Sequence, residues 1–253
     1  MTASNLQSIN SPELLKAGDP LELTLYGVKT VFRYCPPGKF LMGSPEDETC
    51  RDFNEIQHEV TLTRGFWLLE TPVTQALWKT VTGENPSNFQ GIDARPVEQV
   101  SWDDCNSFIQ KLNAERLAPD GLKFDFPTEA EWEYACRAGT TTPYNCGDKL
   151  TEYDANFGDI FGGTTPVKSY APNAWGLYDM HGNVEEWGFD RFDLLFGEPP
   201  VDPQGSKYGS RRVIRGGSWF GCVWSCRSAD RGLSSSEERY SFVGFRLALR
   251  SLN

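Results

Sequence analysis

The seven cysteines, at positions 35, 50, 105, 136, 146, 222 and 226, include no Cys-x-x-Cys pair, so the paired knuckles of a zinc ribbon are missing. Histidine is scarce, with only His58 and His181. No apolar run approaches the roughly 20 residues of a membrane-spanning helix. The opening MTASNLQSIN has neither the basic start nor the apolar stretch of a signal peptide. The chain therefore reads as soluble and without a transmembrane segment: cytoplasmic as it stands, at the cell surface only if a leader has been removed. Positive charge is also short, with 24 Lys and Arg against 35 Asp and Glu and a net charge of −11. Binding DNA or RNA depends on cations displacing counterions from phosphates, which excludes nucleic acid as a partner. No internal repeat and no low-complexity linker divides the chain.

What is present suits a globular domain. The 253 residues are 39% hydrophobic and 13% aromatic, enough for a sizeable core in one large domain or two small ones. The 24 glycines and 16 prolines point to a turn-rich fold. The acidic balance reads as a solvated surface that keeps the protein soluble, with divalent cations or a basic partner as its other uses. An odd number of cysteines leaves one thiol free unless a second chain pairs with it. Cys105 and Cys136 fall on predicted helix faces, where free cysteine packs as a small hydrophobe.

Residues 1–20 read as a loosely held lead-in and 21–253 as a single domain. Strand-like runs cover LELTLYGVKTVFRY (21–34), with a turn at Gly27, and KFLMGS (39–44). In HEVTLTRGFWLLE (58–70), Val60, Leu62, Phe66 and Leu68 keep a period of two, which predicts a strand or hairpin. Three helices follow from their caps. Thr74 starts one that stops near Gly83. Ser101 caps a second, whose Trp102, Cys105, Phe108, Ile109 and Leu112 share a face, with Asp103 and Asp104 in the first turn where the helix dipole favours them. Thr128 and Glu131 form a capping box for the third, and Gly139 is the expected left-handed residue after its end. Beyond Gly139 the chain is almost all turns, with short strands only at 211–219 and 242–250. Backbone this irregular needs fixed side-chain contacts or metal ions to hold one shape.

A series of segments resembles one family. FLMGS (40–44), FWLLETPVTQALWKTVTGENPSNF (66–89), RPVEQVSWDDCNSF (95–108), FPTEAEWEYACRAGT (126–140), APNAWGLYDMHGNVEEW (171–187), VIRGGSW (213–219) and VGFRLA (243–248) are similar, in this order, to the formylglycine-generating-enzyme-like (sulfatase-modifying factor) domain. The resemblance covers about 35–250. It implies an α+β C-type lectin fold of the formylglycine-generating-enzyme type, with few short strands and helices and much ordered loop. The family spans copper-dependent oxidases, iron-dependent sulfur-transferring oxidases, domains without known activity and the variable proteins of diversity-generating retroelements, so the sites must decide function.

The resemblance places a copper-binding cysteine pair after GGSW, with four residues between the two. Cys226 stands at the second position, but Gly221 stands at the first, and Cys222 is one residue late. Copper-dependent oxidation through Cys222 and Cys226 is the alternative reading, and a non-enzymatic protein the main one. Two histidines do not furnish the facial site of the iron branch, and His181 reads as a turn residue before Gly182. The resemblance also implies structural calcium, with Asp179, Gly182, Val184 and Glu186 around one ion and Asn156, Phe157, Asp159 and Phe161 around a second, Gly182, Val184, Phe157 and Phe161 offering carbonyls. Hard oxygens on irregular backbone suit calcium, while Asx side chains that cap turns without metal remain the competing explanation.

The last candidate is SWFGCVWSCRSADRGLSSSEERYSFVGFR (218–246). The frame residues Trp219, Cys226, Arg227 and Arg246 match the family, and the slots between them carry a different composition. In retroelement-diversified relatives, randomised adenines of AAC or AAT codons reach Phe, Gly, Cys, Val, Ser, Asp, Leu and Tyr but not Trp. Of the fifteen slots, at 220–225, 230, 232–236 and 240–242, only Trp224 falls outside that set. Aromatics mixed with Ser and Gly on loops resemble an antibody paratope. The expected function is a ligand-binding display protein whose variable surface comprises Phe220, Gly221, Cys222, Val223, Trp224, Asp230, Leu233, Tyr240 and Phe242. Its partner would be a protein or another surface ligand.

Overall fold

The computed structural model describes residues 15–192, 200–206 and 208–252. Residues 1–14 of the expected lead-in lie outside them. Within the rest of the lead-in, Leu15 packs against the main core, and the Gly18 N–H donates to the Tyr34 carbonyl at 2.9 Å.

The first two strands, β1 (Pro20–Leu25) and β2 (Val28–Cys35), form an antiparallel hairpin around Tyr26 and Gly27, as predicted. β3 (Gly38–Met42) pairs with β4 (His58–Leu62) in a separate two-stranded sheet. β5 (Phe66–Leu69) follows at once but joins β2 instead. The 58–70 run is therefore two strands in two sheets rather than one strand or a hairpin. β4 buries Val60 and Leu62 while Glu59 is exposed and Thr61 half-buried, whereas all four residues of β5 are buried, as a central strand requires.

Helix α1 (Gln75–Thr82) starts at Thr74 and ends on left-handed Gly83. Helix α2 (Trp102–Ala114) has a full capping box between Ser101 and Asp104, and buries the five predicted apolar residues. After β6 (Leu122–Asp125), helix α3 (Glu129–Arg137) has the predicted box between Thr128 and Glu131. Its left-handed cap is Ala138 (φ 45°), one residue before the expected glycine, and Gly139 continues the turn at φ 95°.

The later half holds more strand than its composition suggested. β7 (Glu185–Arg191) and β9 (Gly232–Ser235) join β8 (Arg211–Arg215) and β10 (Val243–Phe245) in a four-stranded sheet ordered β10-β7-β8-β9. EEWGFDR and GLSS carry no alternation that announces a strand, and their pairing with β8 makes them one. The last strand, β11 (Ala248–Ser251), enters the first sheet between β5 and β6, giving the order β1-β2-β5-β11-β6.

The main core lies between the five-stranded sheet, α1 and α2, where Trp78 stacks on Phe108 at 5.1 Å and Trp102 on Phe126 at 4.9 Å. A second cluster gathers Trp132, Ala135 and Cys136 of α3 against β4 and β5. Cys105 and Cys136 are fully buried, as expected of small hydrophobes. Each large side chain removed from water contributes roughly 1.5–3 kcal/mol, so these two clusters supply most of the driving force.

Candidate functional site

After β8, Gly216 and Gly217 take left-handed backbone (φ 100° and 67°) and turn the chain away from the sheet. A Cβ on Gly217 would lie 2.6 Å from the Cys226 sulfur, so only glycine fits there. The turn delivers Trp219, whose indole N–H donates to the Ser241 carbonyl at 2.9 Å and whose ring meets Phe89 edge-on at 5.1 Å. Phe220 then emerges with 61% of its surface exposed. It contacts Trp219 at 5.5 Å and stacks near Phe242 at 6.4 Å, and Phe242 stacks on Tyr240 at 4.9 Å. Phe220, Tyr240 and Phe242 are thus brought together in one aromatic strip. Tyr240 and Phe242, expected on free loops, are half-buried and pack on the main core as well.

Cys222 caps a single 3-10 turn, Val223–Cys226. Val223 and 44%-exposed Trp224 line a groove of about 670 Å³ with Tyr144, Leu150, Pro45 and Pro143. Gly221, half-buried, accepts the Gly158 N–H at 2.8 Å. Asp230 is half-buried beside Arg227, and burial raises its carboxyl to about 6. Leu233 lies on β9 opposite Val213, and no hydrogen bond or ring contact ties it to the strip or the groove.

The frame beneath is ionic. The Arg227 guanidinium donates to both Glu55 oxygens at 2.7 Å and to Glu48 at 2.8 Å. Arg215 pairs with Glu133 and sits 3.6 Å from Glu129, while Arg231 grips Glu129 at 2.6 and 2.7 Å. Arg246 takes both oxygens of Glu186 at 2.7–3.2 Å and the Leu69 carbonyl at 3.0 Å. Trp219, Cys226, Arg227 and Arg246 are all buried, the place expected of frame residues. Sequence reading gave no partner for any of these arginines.

His181 is more than a turn residue. Burial pushes its imidazole down to about 4. In the neutral form Nδ1 donates to the Cys226 carbonyl (2.7 Å) and Nε2 accepts from the Asn145 N–H (3.0 Å), tying the groove wall to the 3-10 turn.

The two candidate copper ligands differ in setting. Cys222 is exposed and Cys226 fully buried, both as free thiols. Burial, and then the Asp230 and Glu185 carboxylates, push the Cys226 thiol well up. Copper(I) binds thiolate, and this setting opposes its formation.

The expected calcium segments pack against each other: the Asn156 carbonyl accepts the Asn183 N–H at 2.8 Å. Three side chains hold the strand of chain between them. Asn156 Nδ2 donates to Gly163 O (3.0 Å), Asn183 Oδ1 accepts from Thr165 N (3.0 Å), and Asp179 Oδ2 accepts from Lys168 N (2.9 Å). Asn156 Oδ1, Asp179 Oδ1 and the hydroxyls of Thr164 and Thr165 are buried without a protein partner. These are hard oxygens of the kind calcium or water satisfies. Glu186 does not fit, because Arg246 and the Trp132 indole N–H already fill its carboxylate. Gly182 and Val184 lie beside it in the chain, both buried. Asp159 and Phe161 are exposed while Asn156 is buried, and half-buried Phe157 packs on the small cluster of Tyr144, Leu150, Ala155 and Cys226. Asp159 donates its N–H to the Trp219 carbonyl, so this loop also flanks the aromatic strip and places exposed Ile160 and Phe161 beside it, a neighbourhood that no local pattern signals.

Residues 30–251 match the sulfatase-modifying factor enzyme 1-like domain. The chain belongs to that family. Among curated relatives of this sulfatase-modifying-factor-like domain, the formylglycine-generating enzyme of Streptomyces coelicolor is 35% identical, over 70% of this chain and 59% of that enzyme. The serine/threonine-protein kinase pkn1 of Chlamydia caviae is 33% identical, over 83% of this chain but 36% of the kinase. The chain thus spans between about a third and three fifths of these relatives' length. Variable protein 1 of Treponema denticola superposes with a TM-score of 0.80 at 30% identity, covering 91% of this chain and 99% of the other. PvdO from Pseudomonas aeruginosa gives 0.81 at 27%, covering 93% and 99%. The fold is accordingly the C-type-lectin-like, mixed α+β fold of the formylglycine-generating-enzyme type. Among the described residues no helix is long and apolar enough to cross a membrane.

Proposed function

We propose that this protein is a ligand-binding display protein whose 218–246 segment forms the binding surface, diversified by a retroelement. The observation that carries the reading is the exposure of Phe220 and Trp224 on a backbone clamped from below by buried Arg227 and Cys226. Large rigid aromatics held in fixed positions are the anchors that dominate protein interfaces. The likeness to variable protein 1 of Treponema denticola supports the reading. The partner is a protein or another surface ligand, met by the Phe220–Phe242–Tyr240 strip and the Trp224 groove. Calcium, held by the partnerless oxygens of Asn156 and Asp179, would stiffen the loops behind the strip.

The deciding experiment pans a displayed random-peptide library against the native protein, Phe220→Ala/Trp224→Ala and Cys222→Ser/Cys226→Ser. Peptides enriched on the native protein and the serine variant, but lost on the alanine variant, support the reading. Copper(I)-dependent oxygen consumption by the native protein that disappears in the serine variant establishes the oxidase instead. An adenine-rich template repeat and a reverse transcriptase gene beside the coding sequence would establish diversification.

A further inference from the structure

A loop outside the 218–246 segment presents two further apolar side chains beside it. Ile160 is 52% exposed and Phe161 58%, although the backbone that carries them is held on both sides. At the base of the loop, buried Asn156 donates Nδ2 to the Gly163 carbonyl at 3.0 Å. On the rising side, the Gly158 N–H donates to the Gly221 carbonyl at 2.8 Å and the Asp159 N–H to the Trp219 carbonyl at 2.6 Å, so the two bonds straddle Phe220. Left-handed backbone at Gly158 (φ 71°), Asp159 (φ 59°) and Gly162 (φ 67°) turns the chain out and back. On the returning side a Cβ on Gly163 would lie 2.6 Å from the Phe89 ring, the same ring that meets Trp219 edge-on. Ile160 and Phe161 are thus the tip of a fixed loop next to Phe220.

Single exposed apolar residues are ordinary, but neighbouring ones that add to an apolar strip mark an interface. A backbone already ordered loses little entropy when a partner settles on it. The charge around the patch selects that partner. From Leu150 to Val167 the chain carries Glu152, Asp154 and Asp159, all exposed, and no Lys or Arg. Residues 218–226 include no Asp, Glu, Lys or Arg. At the other end of the strip, Glu237 and Glu238 are exposed ahead of Tyr240, while the neighbouring Arg239 is held by Asp104 at 2.7 and 2.8 Å. Such a rim repels an anionic lipid surface, and a net charge of −11 sets a second copy of the chain against the first. A polypeptide whose apolar side chains are flanked by Lys or Arg is attracted instead. We propose that Ile160 and Phe161 form a constant wall of the binding surface, seating with Phe220 the apolar side chains of a basic polypeptide segment, whose Lys or Arg residues face Asp159, Glu237 and Glu238. The wall rests on the display function proposed above. It adds to that function a class of partner, and a part of the surface that every version of the 218–246 segment would share.

The test pans two displayed peptide libraries of equal apolar content against the native protein, one with Lys and Arg as its only charged residues and one with Asp and Glu. The enriched peptides are then titrated by calorimetry. The expected result is enrichment from the basic library, with binding weakened about tenfold by Ile160→Ser/Phe161→Ser. Raising sodium chloride from about 0.05 M to about 0.5 M should weaken binding severalfold, and Asp159→Asn should reduce that salt dependence. Phe161→Ala, which removes a single exposed ring, serves as the second variant should the double change unfold the loop, and should weaken binding severalfold. Peptides that need Phe220 yet bind both loop variants as tightly as the native protein would overturn the proposal and leave the display function standing. Equal or greater enrichment from the acidic library would overturn it as well. Failure of both libraries on the native protein would remove the display function and the wall together. A dimer in sedimentation, or binding to phosphatidylserine vesicles, that the serine variant loses would give the wall to a second copy or to a membrane and overturn the proposal.

Discussion

The stretch from β1 to α3 and the stretch from Gly139 to Arg246 are stabilised by different physics. The first is built from capped helices and alternating strands, and its interior is apolar: Phe32, Trp78, Phe108, Phe124 and Phe126 meet in the main core. The second is mostly turns, and much of its interior is ionic. Arg215, Arg227 and Arg246 rank among the largest fully buried side chains of the protein. Arg215, Arg227 and Arg231 reach back to carboxylates of the first stretch, namely Glu48, Glu55, Glu129 and Glu133. Irregular chain cannot satisfy its backbone with long ladders, and a planar guanidinium with five donors can hold several turns at once. Arg227 alone binds the carboxylates of Glu48, Glu55 and Asp230 and the Cys50 and Trp224 carbonyls. Under the proposed display function, this clamp would let the surface side chains vary while the backbone stays in place.

The sharpest way to break this comparison is to remove one anchor from each region. Arg227→Ala leaves Glu48 and Glu55 buried without their cation and should cost about 3–5 kcal/mol in urea unfolding. Phe108→Ala should cost a similar amount, about 3–5 kcal/mol, by opening a cavity. Acid separates the two. Burial alone would raise the Glu55 carboxyl, but the Arg227 and Ser44 hydrogen bonds outweigh it and hold the group below 4.5. A depressed carboxyl stabilises the fold above its unfolded value and loses that contribution as pH falls through the folded value. The deficit of Arg227→Ala relative to the native protein should shrink below about pH 4.5, while that of Phe108→Ala stays constant. Equal pH dependence of the two deficits would show that the ionic frame is not what holds the second region.

Smaller effects sharpen the same contrast. Asp230 is raised from 3.8 to about 6, chiefly by burial, so its ionisation works against the fold. That cost is absent below pH 3.8 and complete above about 6. Asp230→Asn should stabilise the protein by about 1 kcal/mol at pH 8, after allowance for partial exposure, and by nothing at pH 3.5. Calcium added to metal-stripped protein should raise the melting temperature by about 2–4 °C, the equivalent of about 1 kcal/mol in a chain of this size. Asn156→Ala should abolish that rise. Smallest in stability is Trp224→Ala, expected to stay within about 0.5 kcal/mol of the native protein while losing the peptides selected on it. A large stability loss would instead place Trp224 in the frame.

The elements that were legible share one property: their signals are local. Thr74, Ser101 and the Thr128–Glu131 box fixed three helix starts, because a cap and its N–H lie within a few residues. Alternation marked β4, and a strand-like run around Gly27 marked β1 and β2. β7 and β9 were missed because EEWGFDR and GLSS become strands only by pairing with β8. The site divides in the same way. The GGSW turn, the frame residues and the exposed aromatics of 220–224 could be located from sequence. The half-burial of Tyr240 and Phe242, the filling of Glu186 by Arg246, and the Ile160–Phe161 loop beside the strip could not.

The sequence by itself determined the family, the order of the helices and early strands, and the segment that carries the aromatic surface, since each is written in residues close along the chain. Only the tertiary structure decided which slot residues face out, which carboxylate each arginine takes, and where buried donors and acceptors are left unmade. The reason is distance along the chain. Arg246 and Glu186 are 60 residues apart and Arg227 and Glu48 are 179, and no periodicity or cap connects residues that meet only after the chain has folded.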